Sequence, residues 1–320
     1  MTVSGVVDSL SCPECAARIT GADPEHLSCA AGHSFPIEGD VPRLLPRDMR
    51  RMQATVRTFG YQWTSFDVSN DEEDRRVFEA KTGLRLTDLR GKRVLDAGCG
   101  GGRYCRIAGG AAGQVLGIDL SDAVDHARSL TRDLPNVTIV QGNLLQPPIR
   151  PETFDVVYSI GVLHHTPDTR RAFRAVAALV KPGGYLAVWL YRKNTPPQEW
   201  LNTAFRAVTT RAPIPALLLL ARAGAVLGGI PIVRHLNKVA NFSAHPRWTT
   251  RVCDTFDWYA PPYQSHHTEQ ELVQWFDDSG FESVRVLYSQ PRGTPLYRKL
   301  YERNFLIGSG VNVAGRKRAG

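Results

Sequence analysis

The sequence predicts an α/β protein: a doubly wound sheet preceded by a small metal-held module and interrupted late in the chain by a helical cap. From Arg93 onward, short apolar runs alternate with amphipathic stretches, the pattern of a sheet covered on both faces. The first of those runs ends in a glycine-dense turn, Asp96-Ala-Gly-Cys-Gly-Gly-Gly102. Ahead of it, three of the 6 cysteines crowd into residues 12–33 together with His33. At 320 residues the chain exceeds the roughly 250–300 at which one hydrophobic core stops growing, so appendages are expected. With 42% hydrophobic and 22% charged residues, it is neither disordered nor collagen-like nor a disulfide scaffold.

Residues 1–46 read as the metal module. Cys12-Pro-Glu-Cys15 and Cys29-Ala-Ala-Gly-His33 supply three thiols and one imidazole, the ligand set of a tetrahedral structural zinc. So short a segment cannot build a large core, and the ion would substitute for one. Met1–Gly5 has neither a basic nor an apolar region of a signal peptide, so a cytoplasmic location is expected, where clustered cysteines favour metal over disulfides. A redox Cys-x-x-Cys would need a thioredoxin-like strand and helix pattern that does not precede it. The run from Leu10 to Cys15, Leu27-Ser-Cys29 and Phe35 to Pro46 resembles the zinc ribbon of small activator subunits of tRNA and protein methyltransferases. It is also similar to the zinc site of bacterial large-subunit rRNA guanine methyltransferases. This copy carries 2 bases against 6 acids, a poor match to phosphate.

In the core, strands are expected at 93–98, 114–120, 137–142, 154–160 and 184–191. Ser121 is placed to cap a helix beginning at Asp122, and Asp168 one whose Ala172, Phe173, Val176 and Leu179 share a face. Lys181-Pro-Gly-Gly184 follows that second helix. Only glycine permits the tight turn after the first strand and the close approach of backbone to a ligand. A nicotinamide dinucleotide would use a similar turn, but a carboxylate at Asp96 suits an ammonium-bearing ligand better than a diphosphate.

Val94 to Gly102 resembles motif I of class I S-adenosylmethionine-dependent methyltransferases, of the type 11 kind, and the later motifs follow in the family's order. The resemblance implies a Rossmann-like seven-stranded methyltransferase sheet whose last strand is antiparallel. It implies S-adenosyl-L-methionine binding by Asp96, Ala97, Gly98, Cys99, Gly100 and Gly102, with Asp119 and Leu120 at the ribose. Gly142, Asn143 and Leu144 fall at the adenine, and Ser159, Ile160 and Gly161 at the end of the fourth core strand. Asn143 replaces the family's usual aspartate; its amide oxygen can still accept from the adenine amine. Cys99, Cys105 and Cys253 read as buried thiols rather than nucleophiles.

Residues 47–90 read as a helical segment over the cofactor, with Tyr61 and Trp63 either touching the ligand or packing the helix on the core. The catalytic domain spans 91–320, and its insertion 192–266 is too long for a structureless loop, so it is expected to fold as a cap. The cap's apolar surface, Leu217–Leu220 included, would either line an apolar substrate pocket or, as expected for most of the leucines, pack on itself or on a second subunit as a homodimer contact. Thr268-Glu-Gln-Glu271 is a capping box, Phe281–Leu287 a sixth strand and Phe305–Val313 a seventh. Arg316-Lys317-Arg318 reads as a solvated tail. The apolar stretch Pro215–Val233 is broken by Arg222, glycines and Pro231, which argues against a membrane span.

The expected function is methyl transfer from S-adenosylmethionine to oxygen, nitrogen or carbon of a small organic acceptor in biosynthesis. His164 and His165 are the first candidates for a base or orienting group, followed by Tyr259, His267, Tyr263 and His266. Leu163-His-His-Thr-Pro167 resembles quinone and specialised-metabolism methyltransferases. The alternatives are an RNA methyltransferase touching its substrate through the zinc module, and a noncatalytic subunit that only retains the cofactor.

Overall fold

The computed structural model describes residues 5–46, 60, 70–230, 241–287 and 310–319. Tyr61, Trp63, Ile232, Val233 and Phe305–Ser309 lie outside them. The amino-terminal module is a four-stranded antiparallel sheet of β1 (Ile19–Ala22), β2 (His26–Cys29), β3 (Ser34–Glu38) and β4 (Val41–Pro42). Helix α1 (Asp71–Thr82) follows, its amino end capped by Asn70, whose side chain accepts from Glu73 N–H.

The core alternates β5 (Arg93–Ala97), α2 (Arg103–Gly109), β6 (Gln114–Asp119), α3 (Ala123–Leu130), β7 (Val137–Gln141), β8 (Phe154–Ile160), α4 (Thr169–Ala177) and β9 (Val180–Tyr191). After the insertion come α8 (Glu269–Asp278), β10 (Phe281–Val286) and β11 (Gly310–Lys317). The seven strands run in the order β10-β11-β9-β8-β5-β6-β7, with β11 antiparallel to both of its neighbours and β5 to β9 parallel. The seven-stranded sheet and its antiparallel last strand are therefore present. Strand order reverses between β5 and β8, and the crevice beyond the carboxyl ends of those strands is where such sheets bind ligands.

Several local readings shift. Ser121 stands one residue too early, because Asp122 is the N-cap of α3, whereas Asp168 caps α4 by accepting from Arg171 N–H. Lys181 to Gly184 is part of β9, and the strand expected at 305–313 is described over Gly310–Lys317. Arg316 and Lys317 are consequently no solvated tail. Lys317 Nζ donates to Val180 O at 2.9 Å, tying the last strand to the start of β9.

The amino-terminal module is not a bead on a string. Leu44 N–H donates to Gln141 O at 2.9 Å, Ser11 N–H to Pro148 O at 3.0 Å and Arg150 N–H to Ser9 O at 2.8 Å. Leu10, Ile19, Leu27, Phe35 and Leu44 belong to the same apolar cluster as Leu116, Ile118, Val140 and Ile149. Arg43 reaches Asp125 at 2.5 Å and Arg128 reaches Asp40 at 3.3 Å across the seam. The module thus continues the β7 edge, whose unpaired backbone groups it covers.

The insertion folds into α5 (Pro196–Thr209), α6 (Ile214–Gly229) and α7 (Trp248–Tyr259) around Leu217, Ala221, Ala225, Val252, Phe256 and Ala260. Self-packing consumes Leu217 but leaves Leu219 71% exposed, so only part of the leucine run is internal. Among the described residues, no helix is long and apolar enough to cross a membrane.

Candidate active site and metal centre

The glycine turn between β5 and α2 is held open by its own backbone. Gly98 and Cys99 N–H both donate to Ile118 O, and Gly98, Gly100 and Gly102 have φ of 95°, 49° and 86°. A Cβ on Gly98 would lie 2.4 Å from Val162 and one on Gly102 2.7 Å from the Ala127 Cα, so side chains are excluded on steric grounds as well. At the end of β6, Asp119 accepts from Gly100 N–H at 2.9 Å and from Ser121 N–H and Oγ at 2.9 and 2.7 Å. An acidic side chain and a glycine backbone thereby face the same crevice.

Asp96, 1% exposed, accepts from the Cys105 thiol at 3.3 Å, and burial pushes its carboxyl up to about 7. Ala97 and Cys99 are buried, and burial raises the Cys99 and Cys105 thiols as well, so neither is an activated nucleophile. Ser159 spends its hydroxyl on Ala97 O at 2.7 Å, clamping β8 to β5. Leu120 O accepts from Gln141 Nε2 at 3.1 Å. Gly142 N–H donates to Asp119 O at 2.9 Å, Leu144 is buried, and the Asn143 amide oxygen accepts from Leu145 N–H at 2.9 Å. One lone pair of Asn143 is thus used in its own turn. Ile160 and Gly161 remain partly exposed at the crevice, Gly161 at φ 81°.

Beyond Gly161, the 3-10 turn Leu163–His165 brings both histidines against the cap. His164 is fully buried, stacks on Tyr191 with centroids 3.9 Å apart, and has no hydrogen-bond partner on either ring nitrogen among the described residues; burial holds it well below the usual imidazole range. His165 Nδ1–H donates to Tyr263 O at 3.1 Å, which leaves Nε2 as the basic nitrogen, 3.6 Å from the Asp257 carboxylate. Tyr191 Oη donates to the same carboxylate at 2.8 Å. Stacking continues from Tyr191 to Trp258 and from Trp258 to His266, whose Nδ1 meets Glu199 at 2.6 Å. This ladder fixes the cap onto the ends of β8 and β9.

The other candidate bases stand apart from that arrangement. Tyr259 is buried in the cap, where its carbonyl accepts from Thr209 and burial pushes its phenol up to about 12. His267 packs on Trp275 at 4.9 Å and pairs with Ser265 Oγ at 3.0 Å. The sequence did not single out Tyr191, Trp189, Asp257 or Lys81; strand alternation and helical spacing give such residues ordinary packing roles.

In the amino-terminal module, Cys12, Cys15, Cys29 and His33 place their ligand atoms within 4.8 Å of one another. Cys15 Sγ lies 3.8 Å from Cys29 Sγ, and His33 Nδ1 lies 3.5 Å from both Cys12 and Cys29 Sγ. A zinc tetrahedron with Zn–S about 2.3 Å and Zn–N about 2.0–2.1 Å has edges of roughly 3.8 Å between sulfurs and 3.6 Å between sulfur and nitrogen. The donor set and its spacing fit that ion.

Residues 95–188 match the family model described as a methyltransferase domain. A ubiquinone biosynthesis O-methyltransferase of Neisseria meningitidis serogroup C is 37% identical over 120 residues, 36% of this chain and 50% of that protein. One from Rhodopseudomonas palustris is 35% identical over 120 residues, 37% of this chain and 47% of that protein. The chain thus spans about half the length of these relatives. Among solved structures, the YcgJ protein of Bacillus subtilis superposes with a TM-score of 0.48 at 17% identity, covering 78% of this chain and all of that one. A complex of the Haloferax volcanii Trm112 methyltransferase activator with a methyltransferase gives 0.46 at 14% identity, covering 82% and 97%.

Proposed function

We propose that this chain, whose residues 95–188 form a class I S-adenosylmethionine-dependent methyltransferase domain, moves a methyl group from that donor to a small organic acceptor held beneath the cap. The observation that carries the reading is the Asp119 carboxylate at 2.9 Å from Gly100 N–H: a ribose-binding acid beside a glycine cradle. When bound, the donor supplies an already activated sulfonium methyl. What remains for the chain is alignment, with a base where the acceptor carries a proton. The turn and Asp96 hold the methionine end, Asp119 and Leu120 the ribose, Gly142 to Leu144 the adenine, and Ser159 to Gly161 the wall toward the acceptor.

His165 Nε2 is the best placed base, because its tautomer is fixed by Tyr263 O and the proton it accepts would be met by Asp257. His164 orients, and Tyr259 and His267 have structural roles. Relatives that match the core are ubiquinone O-methyltransferases, so a hydroxyl of an aromatic ring is the acceptor favoured by comparison. Residues 1–46 are a zinc ribbon whose ion is structural and remote from the methyl. Of the entry segment 47–90, the described residues 70–90 close over the donor, and 91–320 form the catalytic domain with cap 192–266. Exposed Trp200, Leu219 and Val226 on the cap would be covered in a homodimer, tested by light scattering.

The test is calorimetric binding of S-adenosylmethionine followed by methyl transfer from radiolabelled donor to a panel of catechols and hydroxybenzoates. No donor binding overturns the reading. Donor binding without transfer to any metabolite leaves the noncatalytic subunit, and salt-sensitive RNA binding leaves the RNA enzyme.

A further inference from the structure

Lys81 closes the carboxyl end of α1, where a basic residue ordinarily does no more than face solvent and complement the helix dipole. Here its ammonium turns inward and sits 3.6 Å above the ring centre of Trp189, near the end of β9. Among the described residues it makes no hydrogen bond or ion pair, so three N–H donors have one aromatic face for company. Burial, and then the Arg103 guanidinium, push this ammonium down to about 7. The acids acting on it are engaged elsewhere: Asp257 accepts from Tyr191, and Asp254 from Ser243 Oγ at 2.8 Å. Arg103 itself is matched by Asp74 at 3.5 Å. Among the described groups around Trp189, Lys81 is left without an anion.

Its position gives that imbalance meaning. Trp189 lies against Gly161, where an added Cβ would be 3.3 Å from the indole, so the ammonium stands over the end of β8. The buried His164 ring meets the same indole edge-on at 5.9 Å, with both nitrogens unpartnered. A buried imidazole without a partner at the edge of the indole, and an ammonium over its face, indicate a wall that a ligand would complete. An ammonium over an aromatic face selects a flat molecule carrying an oxyanion.

We propose that Lys81 and Trp189 form the recognition site for a carboxylate-type oxyanion on the acceptor, making this an enzyme of aromatic acids rather than of neutral rings. This rests on the methyltransferase reading for the word acceptor, but the anion site is measurable without turnover. The full chain is titrated with benzoate and with benzamide, its neutral counterpart, following tryptophan fluorescence, with Trp189→Phe to assign the signal. Saturable quenching by benzoate and none by benzamide is expected. Lys81→Met, which keeps the aliphatic stem, should weaken benzoate at least tenfold, and Lys81→Arg should restore most of the affinity.

Equal response to both ligands, or unchanged benzoate binding in Lys81→Met with a native melting curve, overturns the site. Repeating the titration at saturating S-adenosylhomocysteine separates the two sources of carboxylate. Retained benzoate binding assigns the site to the acceptor. Displacement of benzoate, with a parallel loss of S-adenosylhomocysteine affinity in Lys81→Met, assigns it to the donor's own carboxylate and overturns the acceptor claim. Loss of donor binding with benzoate binding intact would strike the methyltransferase reading and not this one.

Discussion

The Asp119 carboxylate and the Gly100 N–H meet at 2.9 Å, joining the end of β6 to the turn that follows β5. One side chain therefore shapes the cradle and presents the acid to the crevice. Because a carboxylate accepting two backbone N–H groups is spent structurally as well as functionally, Asp119→Asn and Asp119→Ala should differ. We expect Asn to keep the fold and weaken donor binding about tenfold by calorimetry, roughly one charge-assisted hydrogen bond. Ala should weaken it further and lower the melting temperature, since Gly100 and Ser121 both lose their acceptor. Unchanged affinity in both variants would remove the ribose assignment.

The glycines of the cradle separate strain from crowding. At Gly102 a methyl group would meet Ala127 Cα at 2.7 Å, with φ at +86°. Gly183, on the lower rim of β9, has φ +73° and nothing within 4 Å of an added Cβ. Gly183→Ala should cost only the backbone term, about 1 kcal/mol, and Gly102→Ala about 2–4 kcal/mol, because α2 and α3 must move apart. Denaturant melts of the two variants measure the difference, and equal losses would show that the packing against Ala127 is soft.

Cys12 and Cys29 are almost fully buried and belong to the cluster that includes Leu116 and Ile118 of β6. An ion joining them would therefore support the edge of the main sheet. Purified protein is expected to hold one zinc per chain by elemental analysis. Chelation, or Cys29→Ser, should lower the melting temperature by roughly 5 °C or more while the denatured state gains the freed thiols. A protein that contains no zinc and melts identically with and without chelator would defeat the structural-zinc assignment.

How much of this was legible beforehand follows from what each residue had to do locally. Gly98, Gly100, Gly102 and Asp119 announce themselves because a turn of that geometry tolerates no other chemistry, and Cys12, Cys15, Cys29 and His33 because ligand spacing is local. The seam between module and core was not legible: Leu10, Phe35 and Leu44 look like the interior of a small module and in fact continue the core of the large one. Asp257 and His165 are 3.6 Å apart in space and far apart in sequence, and no periodicity predicts which face of a cap helix meets a sheet end. Lys81 was hidden by its ordinary place in a last helical turn. Charge alone makes Arg316 to Arg318 look like a tail, but they lie at the sheet rim, where a lysine stem such as that of Lys317 packs while its head reaches Val180 O.

If Asp96 holds the donor's ammonium as proposed, donor binding depends on pH. In the unliganded protein burial raises its carboxyl from 3.8 to about 7, so between those values the native state holds a proton that the unfolded chain has released. The stability contributed by that proton is full below pH 3.8 and lost as pH rises through about 7. Binding runs the other way: a donor ammonium favours the ionised carboxylate, so affinity should increase from pH 6 to pH 8 and approach a plateau above it. At pH 6.5 the binding should release a proton, seen as a dependence of calorimetric heat on buffer ionisation enthalpy. Asp96→Asn should flatten the pH profile and abolish the release, while Cys105→Ala, which removes the 3.3 Å thiol contact, should shift the rise to higher pH. A pH-independent affinity in the unaltered protein would show that the donor's ammonium is held without Asp96.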